Sequence, residues 1–148
     1  MRILFICHGN ICRSPMAEFV MIDLLTKANA KGVLVESAAT SREEIGNDIH
    51  RGTKMKLDEA GIPYQKRKAR QITPKDYDNF DLLLIMDKAN ERNAIRIFGD
   101  DKDGKIKSLK SFSGSDGDIA DPWYTGNFDE TYIDVLESCK GLMKWLGY

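Results

Sequence analysis

The sequence predicts an α/β fold, a mainly parallel sheet with helices on both faces. Short apolar runs alternate along the chain with stretches of helical periodicity, and right-handed crossovers turn that alternation into parallel strands. Two of the runs, residues 3–6 and 80–86, are apolar almost throughout, as strands covered on both faces are. A length of 148 residues fits one domain at ~150 residues each and can bury ~70% of its unfolded surface without a disulfide staple. Residues 1–148 are therefore expected to form a single domain.

The elements follow in order. The first strand covers residues 3–6 and stops at Cys7. Residues 7–13 form a loop in which Gly9-Asn10 tolerates unusual backbone angles. Ser14 as N-cap and Pro15 at the first helical position open a helix. Met16, Phe19, Val20, Leu24 and Ala28 continue it at helical spacing. A second strand is expected over 33–37, then a helix over 49–60 closed by Gly61. Thr73-Pro74 opens a short helix by the same capping logic. The most continuous apolar run, 80–86, is a buried central strand, and a helix over 88–98 ends at Gly99-Asp100. A polar stretch from 101 to 117 surrounds a strand at 105–109. The last helix starts near Asn127 and carries Tyr132, Val135, Leu136, Cys139, Leu142, Met143 and Leu146.

Composition narrows the function classes. With 42% hydrophobic and 30% charged residues the chain is not disordered. Its 22 basic residues nearly cancel 23 acidic ones, so it lacks the basic excess of a nucleic-acid binder. No apolar run approaches the ~18 residues of a membrane span, so no membrane partner is expected. The opening Met1-Arg2-Ile3-Leu4-Phe5-Ile6 is too short for a signal peptide. A cytoplasmic location follows as an expectation, with the three cysteines in a reducing environment. Three cysteines and two histidines at these spacings make no zinc pattern, and no cofactor is implied.

Ligands of such sheets bind beyond the carboxyl ends of the strands, which singles out Cys7-His8-Gly9-Asn10-Ile11-Cys12-Arg13-Ser14. A tight loop of this length points successive backbone N–H groups at one centre, and the following helix aims its positive end there too. Arg13 adds a planar fork that takes two phosphate oxygens at once. The same field favours the thiolate of Cys7, and Ser14 is placed to donate a hydrogen bond to its sulfur. A thiolate beneath a phosphoryl group is set for in-line attack through a phosphocysteine. Arg13 and the loop amides meet the charge on the transferring oxygens, leaving no need for a metal. The plain alternative is a buried core cysteine and a surface arginine. The strand before, the Ser-Pro helix start after and the glycine inside the motif favour chemistry.

Such chemistry needs an acid to protonate the leaving group. Asp116, Asp118 and Asp121 share a segment before the last helix, and an Asp-Pro pair is often merely a turn, so the residues alone do not choose among them. Trp123 and Tyr124 do not easily both pack inward from a polar loop, which favours a pocket rim suited to an aromatic ring.

The run from Cys7 to Arg13, continued by Ser14-Pro15-Met16-Ala17-Glu18, resembles the signature of the low-molecular-weight protein tyrosine phosphatases. The resemblance continues through Ser37-Ala38-Ala39-Thr40-Ser41, Ile45-Gly46-Asn47, Ala69-Arg70-Gln71-Ile72 and Met86-Asp87 to Asp121-Pro122-Trp123-Tyr124. It implies a three-layer domain with a four-stranded parallel sheet and metal-free hydrolysis of phosphotyrosine. Protein phosphotyrosines would be the substrates, with phosphate or other oxyanions held in the loop. It assigns the general acid to Asp121, hence activity favouring mildly acidic pH. It also implies a reversible Cys7–Cys12 disulfide that shields the nucleophile from over-oxidation, and leaves Tyr124 as a modification site. Cys139 belongs to the core, His8 is expected at the pocket floor, and His50 starts a helix with no assigned task.

The chain departs from the family pattern twice. Glu43 stands where many relatives carry a pocket-lining aromatic, giving an acidic rim expected to disfavour acidic phosphopeptides. Arg67 replaces a histidine that in relatives joins a network with the residues matching Asn10, Ser14 and Ser37. Arginine donates but cannot accept, so that network must be rearranged. The basic cluster from Lys66 to Arg70 is otherwise a solvated surface or an electrostatic guide for phosphorylated substrates. Arsenate reductases use a related loop and fold, but no cysteine between Cys12 and Cys139 supplies the relay that chemistry usually needs. An idle phosphoprotein-binding module would have no reason to keep nucleophile, arginine and acid together.

Overall fold

The computed structural model describes residues 1–148. Four strands, β1 (Arg2–Cys7), β2 (Leu34–Ala39), β3 (Leu82–Ile85) and β4 (Ile106–Ser108), pair in the order β2-β1-β3-β4, every pair parallel. Six helices surround them: α1 (Arg13–Lys27), α2 (Arg51–Glu59), α3 (Pro74–Asn79), α4 (Lys88–Phe98), α5 (Pro122–Thr125) and α6 (Phe128–Leu146). No helix is long and apolar enough to cross a membrane.

Side-chain alternation along β1 makes the three layers. Ile3, Phe5 and Cys7 join one core with Met16, Val20, Leu57, Val135 and Leu142 from α1, α2 and α6. Leu4 and Ile6 join a second core on the opposite face with Tyr77 and Ala94 from α3 and α4. Residues Ile3 to Ile6 have no exposed surface, because β1 is central in the sheet and covered on both sides.

Several boundaries differ from the sequence expectation, each for a local reason. Helix α1 is capped at Cys12, not Ser14: the Ser14 hydroxyl lies 3.0 Å from the Cys7 sulfur and is spent there rather than on a helix amide. Helix α2 begins at Arg51 because His50 takes the cap, its Nδ1 accepting from Gly52 N–H at 2.9 Å. Strand β2 runs on to Ala39, since Ala38 and Ala39 pair with Ile6 and Cys7. The 80–86 run yields only Leu82–Ile85 as strand, Phe80 being used to end α3.

Two short elements escape the sequence analysis. A 3-10 turn, Leu109–Ser113, follows β4 and packs on α6. A Cβ on Gly141 would lie 1.8 Å from the Phe112 carbonyl oxygen, so only glycine permits that approach. Helix α5 is a single turn capped by Asp121, so the Asp-Pro pair starts a helix rather than a simple turn.

Candidate active site

The loop between β1 and α1 wraps around the Cys7 sulfur. Asn10 turns the chain at φ +60°, a left-handed conformation that asparagine tolerates, and its N–H donates to Cys7 Sγ at 3.2 Å. Asn10 is itself fully buried, and its amide is oriented by its partners. Arg67 Nη2 and the Arg70 N–H both donate to Oδ1, so Nδ2 faces the other way and donates to Ser14 Oγ at 2.8 Å and Ser37 Oγ at 2.9 Å. Each serine thus accepts from Asn10 and passes its own proton on. Ser37 donates to the Glu18 carboxylate and Ser14 is left to donate to Cys7 Sγ at 3.0 Å. Burial pushes the Glu18 carboxyl above its ordinary range against the pull of Ser37 and Arg67, and burial lowers the Arg67 guanidinium against the pull of Glu18. This is the rearranged network that an arginine at position 67 requires: it donates where a histidine could also accept.

Arg13 is 2% exposed. Its Nη1 donates to Asp87 Oδ2 at 2.7 Å and to the Ile119 carbonyl at 3.0 Å, and its Nη2 to Asp121 Oδ2 at 3.3 Å. Burial alone would lower this guanidinium, but Cys7, Asp87 and Asp121 together hold it above its ordinary value.

One cavity gathers Cys7, Arg13, Asp121, Trp123, Tyr124 and Glu43, with His8, Gly9, Ile11, Cys12 and Glu44 completing its lining. Of the three candidate aspartates only Asp121 lines it; Asp116 and Asp118 are exposed in the preceding loop. Trp123 and Tyr124 are both largely exposed at the mouth, in keeping with a rim. Asn10 and Ser14 lie behind the cavity and act on the sulfur. His8 is not at the floor: its half-exposed ring meets Glu43 Oε2 at 2.9 Å, which draws it to the rim. Cys7 and Cys12 are both free and buried, with burial, and then the charge of Cys7, pushing the Cys12 thiol up to about 12. Cys139 lies in the core between α1 and α6.

Asp87 and Glu18 join the site with no role expected from the sequence. Both carried a signal. Asp87 directly follows the central apolar run and opens Asp-x-x-Asn, and it caps α4 through the Asn90 N–H at 2.8 Å, which brings its carboxylate to the strand end where Arg13 lies. Glu18 is four residues after Ser14 on α1, hence on the same helix face.

A family model for the low molecular weight phosphotyrosine protein phosphatases matches residues 2–147. The low molecular weight protein-tyrosine-phosphatase YfkJ of Bacillus subtilis (strain 168) is 38% identical over 144 residues, covering 95% of this chain and 92% of that one. PtpA of Staphylococcus haemolyticus (strain JCSC1435) is 37% identical over 143 residues, covering 96% and 91%. The crystal structure of YfkJ superposes with a TM-score of 0.94 at 36% identity over 99% of this chain and 94% of that one. A low molecular weight protein tyrosine phosphatase from Streptococcus pyogenes gives a TM-score of 0.88 at 38% identity, covering 99% and 93%. The chain belongs to the low molecular weight phosphotyrosine protein phosphatase family.

Proposed function

We propose that this protein hydrolyses protein phosphotyrosine and small aryl phosphates in two steps through a phosphocysteine on Cys7. The donor count at Arg13 carries the reading. A guanidinium has five N–H donors, and three are taken by Asp87, Ile119 and Asp121. The two left are the Nε–H and one Nη2–H, the adjacent pair that grips two oxygens of a phosphoryl group. Arg13 and the loop amides would bind inorganic phosphate or another oxyanion in the same way.

In the first step the Cys7 thiolate attacks phosphorus in line, the P–S bond forms and the aryl P–O bond breaks. Asp121, protonated, gives its proton to the departing phenolate oxygen. In the second, Asp121 takes a proton from water, whose oxygen attacks phosphorus. The P–S bond breaks, releasing phosphate and the thiolate. Asn10 N–H and Ser14 Oγ stabilise sulfur as nucleophile and as leaving group. Trp123 and Tyr124 flank the space an aryl stem would fill. A cytosolic setting, where thiols stay reduced, suits such a nucleophile.

The test is p-nitrophenyl phosphate hydrolysis by wild type and Cys7→Ser, with EDTA and fresh reductant present. Turnover in wild type that vanishes in a folded Cys7→Ser protein is the expected result. Normal turnover in that variant overturns the reading. So does an inactive wild type that is folded and reduced, which would direct attention to arsenate reduction.

A further inference from the structure

Trp123 stands on α5, a helix of one turn, and the residue is 57% exposed, so little of its own element fixes it as a pocket wall. His50 supplies the missing support. Its ring meets the indole edge-on, at 5.6 Å between centroids and 81° between planes. The same ring stacks on Phe128 at 5.4 Å and 17°, and Phe128 packs against Ile11, Cys12 and Ala69 beside the phosphate loop.

His50 is anchored from two further directions. Its backbone N–H donates to the Ile11 carbonyl in the phosphate loop at 2.8 Å. Its Nδ1 accepts from the Gly52 N–H at 2.9 Å, which leaves the ring proton of the neutral imidazole on Nε2. The stack also depends on a missing side chain: a Cβ on Gly52 would sit 2.3 Å from Phe128 Cζ. A backbone bond to the loop, a cap bond to α2 and two aromatic faces therefore meet in one residue.

We infer that His50 is a positioning residue that holds the Trp123 wall at a set distance from the phosphate loop, and so governs affinity for an aryl stem. The inference rests on the aryl-phosphate reading of the site. Asp121 is held by Arg13 through Oδ2 and by the Trp123 backbone N–H through Oδ1, whereas His50 meets Trp123 only at the indole, so loosening the indole acts on binding more than on proton transfer.

Two variants separate the cap from the wall. His50→Asn keeps an acceptor for Gly52 N–H and removes the ring; His50→Phe keeps a ring and removes the acceptor. For His50→Asn, KM for p-nitrophenyl phosphate rises about three- to tenfold, the worth of an aromatic contact. Its kcat and the inhibition constant of inorganic phosphate, which has no aryl stem, stay near wild type, while its melting temperature falls by a few degrees with the loss of the Phe128 stack. For His50→Phe, KM is retained while the melting temperature falls. A spectroscopic arm needs no turnover. Trp123 and Trp145 are the two tryptophans, and in a Trp145→Phe background His50→Asn exposes Trp123 to acrylamide quenching while His50→Phe does not. Unchanged KM and quenching in His50→Asn overturn the inference, as does a KM that rises in both variants in step with lost stability. Absence of aryl-phosphate turnover in wild type overturns the functional reading instead, and quenching still decides whether His50 positions the wall.

Discussion

The Arg67 guanidinium donates through Nη2 to Asn10 Oδ1 from behind the phosphate loop, clamping the residue whose left-handed turn presents its N–H to the Cys7 sulfur. The clamp is costly on one side, because Arg67 Nη1 is buried with no hydrogen-bond partner. A charged hydrogen bond contributes about 1.5–3 kcal/mol and an unpaired buried donor costs about 1–3 kcal/mol, so the two nearly cancel in stability. Arg67→Met is therefore expected to shift the unfolding free energy by less than about 1.5 kcal/mol while lowering kcat/KM about tenfold, because the loop loses its orientation but the fold does not. Urea unfolding and p-nitrophenyl phosphate kinetics on the same preparation decide it. Heavy destabilisation with kcat/KM intact would make Arg67 a structural cation only.

Asp121 touches Arg13 with one carboxylate oxygen and caps α5 with the other, accepting from the Trp123 N–H at 3.1 Å. A general acid matters in proportion to how badly the leaving group needs a proton. Asp121→Asn keeps an acceptor for the cap, and is expected to slow phenyl phosphate by about 10²–10⁴-fold and p-nitrophenyl phosphate, whose phenolate leaves readily, much less. A series of aryl phosphates of graded leaving-group acidity measures this as a steeper dependence of rate on leaving group. An equal loss across the series would remove Asp121 as the acid.

The layers and the loop were legible because their signals are local. Residues 3–6 and 80–86 announce strands by unbroken apolarity, and Cys7 to Arg13 carries its chemistry within seven positions. What escaped depends on contacts far apart in the chain. Asp87 meets Arg13 across 74 residues, and Glu18 meets Ser37 across 19. His50 announced itself only as a helix start, and its aromatic partners Trp123 and Phe128 are brought to it by the packing of α2, α5 and α6. Ser14 carried two readings, a helix cap and a donor to Cys7, and one hydroxyl cannot serve both: the sulfur 3.0 Å away takes it, and the cap falls to Cys12.

Asp48 ties the Arg67 segment to the start of α2. Its carboxylate accepts from Lys54 Nζ at 2.7 Å and from the N–H groups of Arg67 at 3.1 Å and Ile49 at 2.7 Å. Lys54 first, and the two amides after it, hold this carboxyl down at about 2, against 3.8 ordinarily. The folded state thus favours the ionised form. Its contribution to stability is complete above the ordinary carboxylate range and is lost as pH falls from about 4 through about 2. Unfolding free energies of wild type and Asp48→Asn, measured by urea titration at several pH values, should differ most near neutrality and converge towards pH 2. A gap that stays constant across that window would show that the charge on Asp48 contributes nothing.

The three cysteines should differ sharply towards an alkylating agent. Cys7 lines the cavity, and its sulfur, facing the Asn10 N–H and the Ser14 hydroxyl, is the one an agent entering the phosphate loop meets. Cys12 lines the same cavity, but burial and the neighbouring Cys7 charge push its thiol up to about 12, so almost none is thiolate at pH 7. Cys139 is completely enclosed between α1 and α6, and burial pushes its thiol well above the ordinary value. One equivalent of iodoacetamide at pH 7 is therefore expected to label Cys7 alone, as read by peptide mass spectrometry. Inorganic phosphate should slow that labelling by occupying the space above the sulfur. Labelling of Cys12 first would mean that the loop opens in solution far enough to ionise a thiol that the folded chain keeps protonated. Labelling of Cys7 at a rate indifferent to phosphate would mean that the anion does not bind above it.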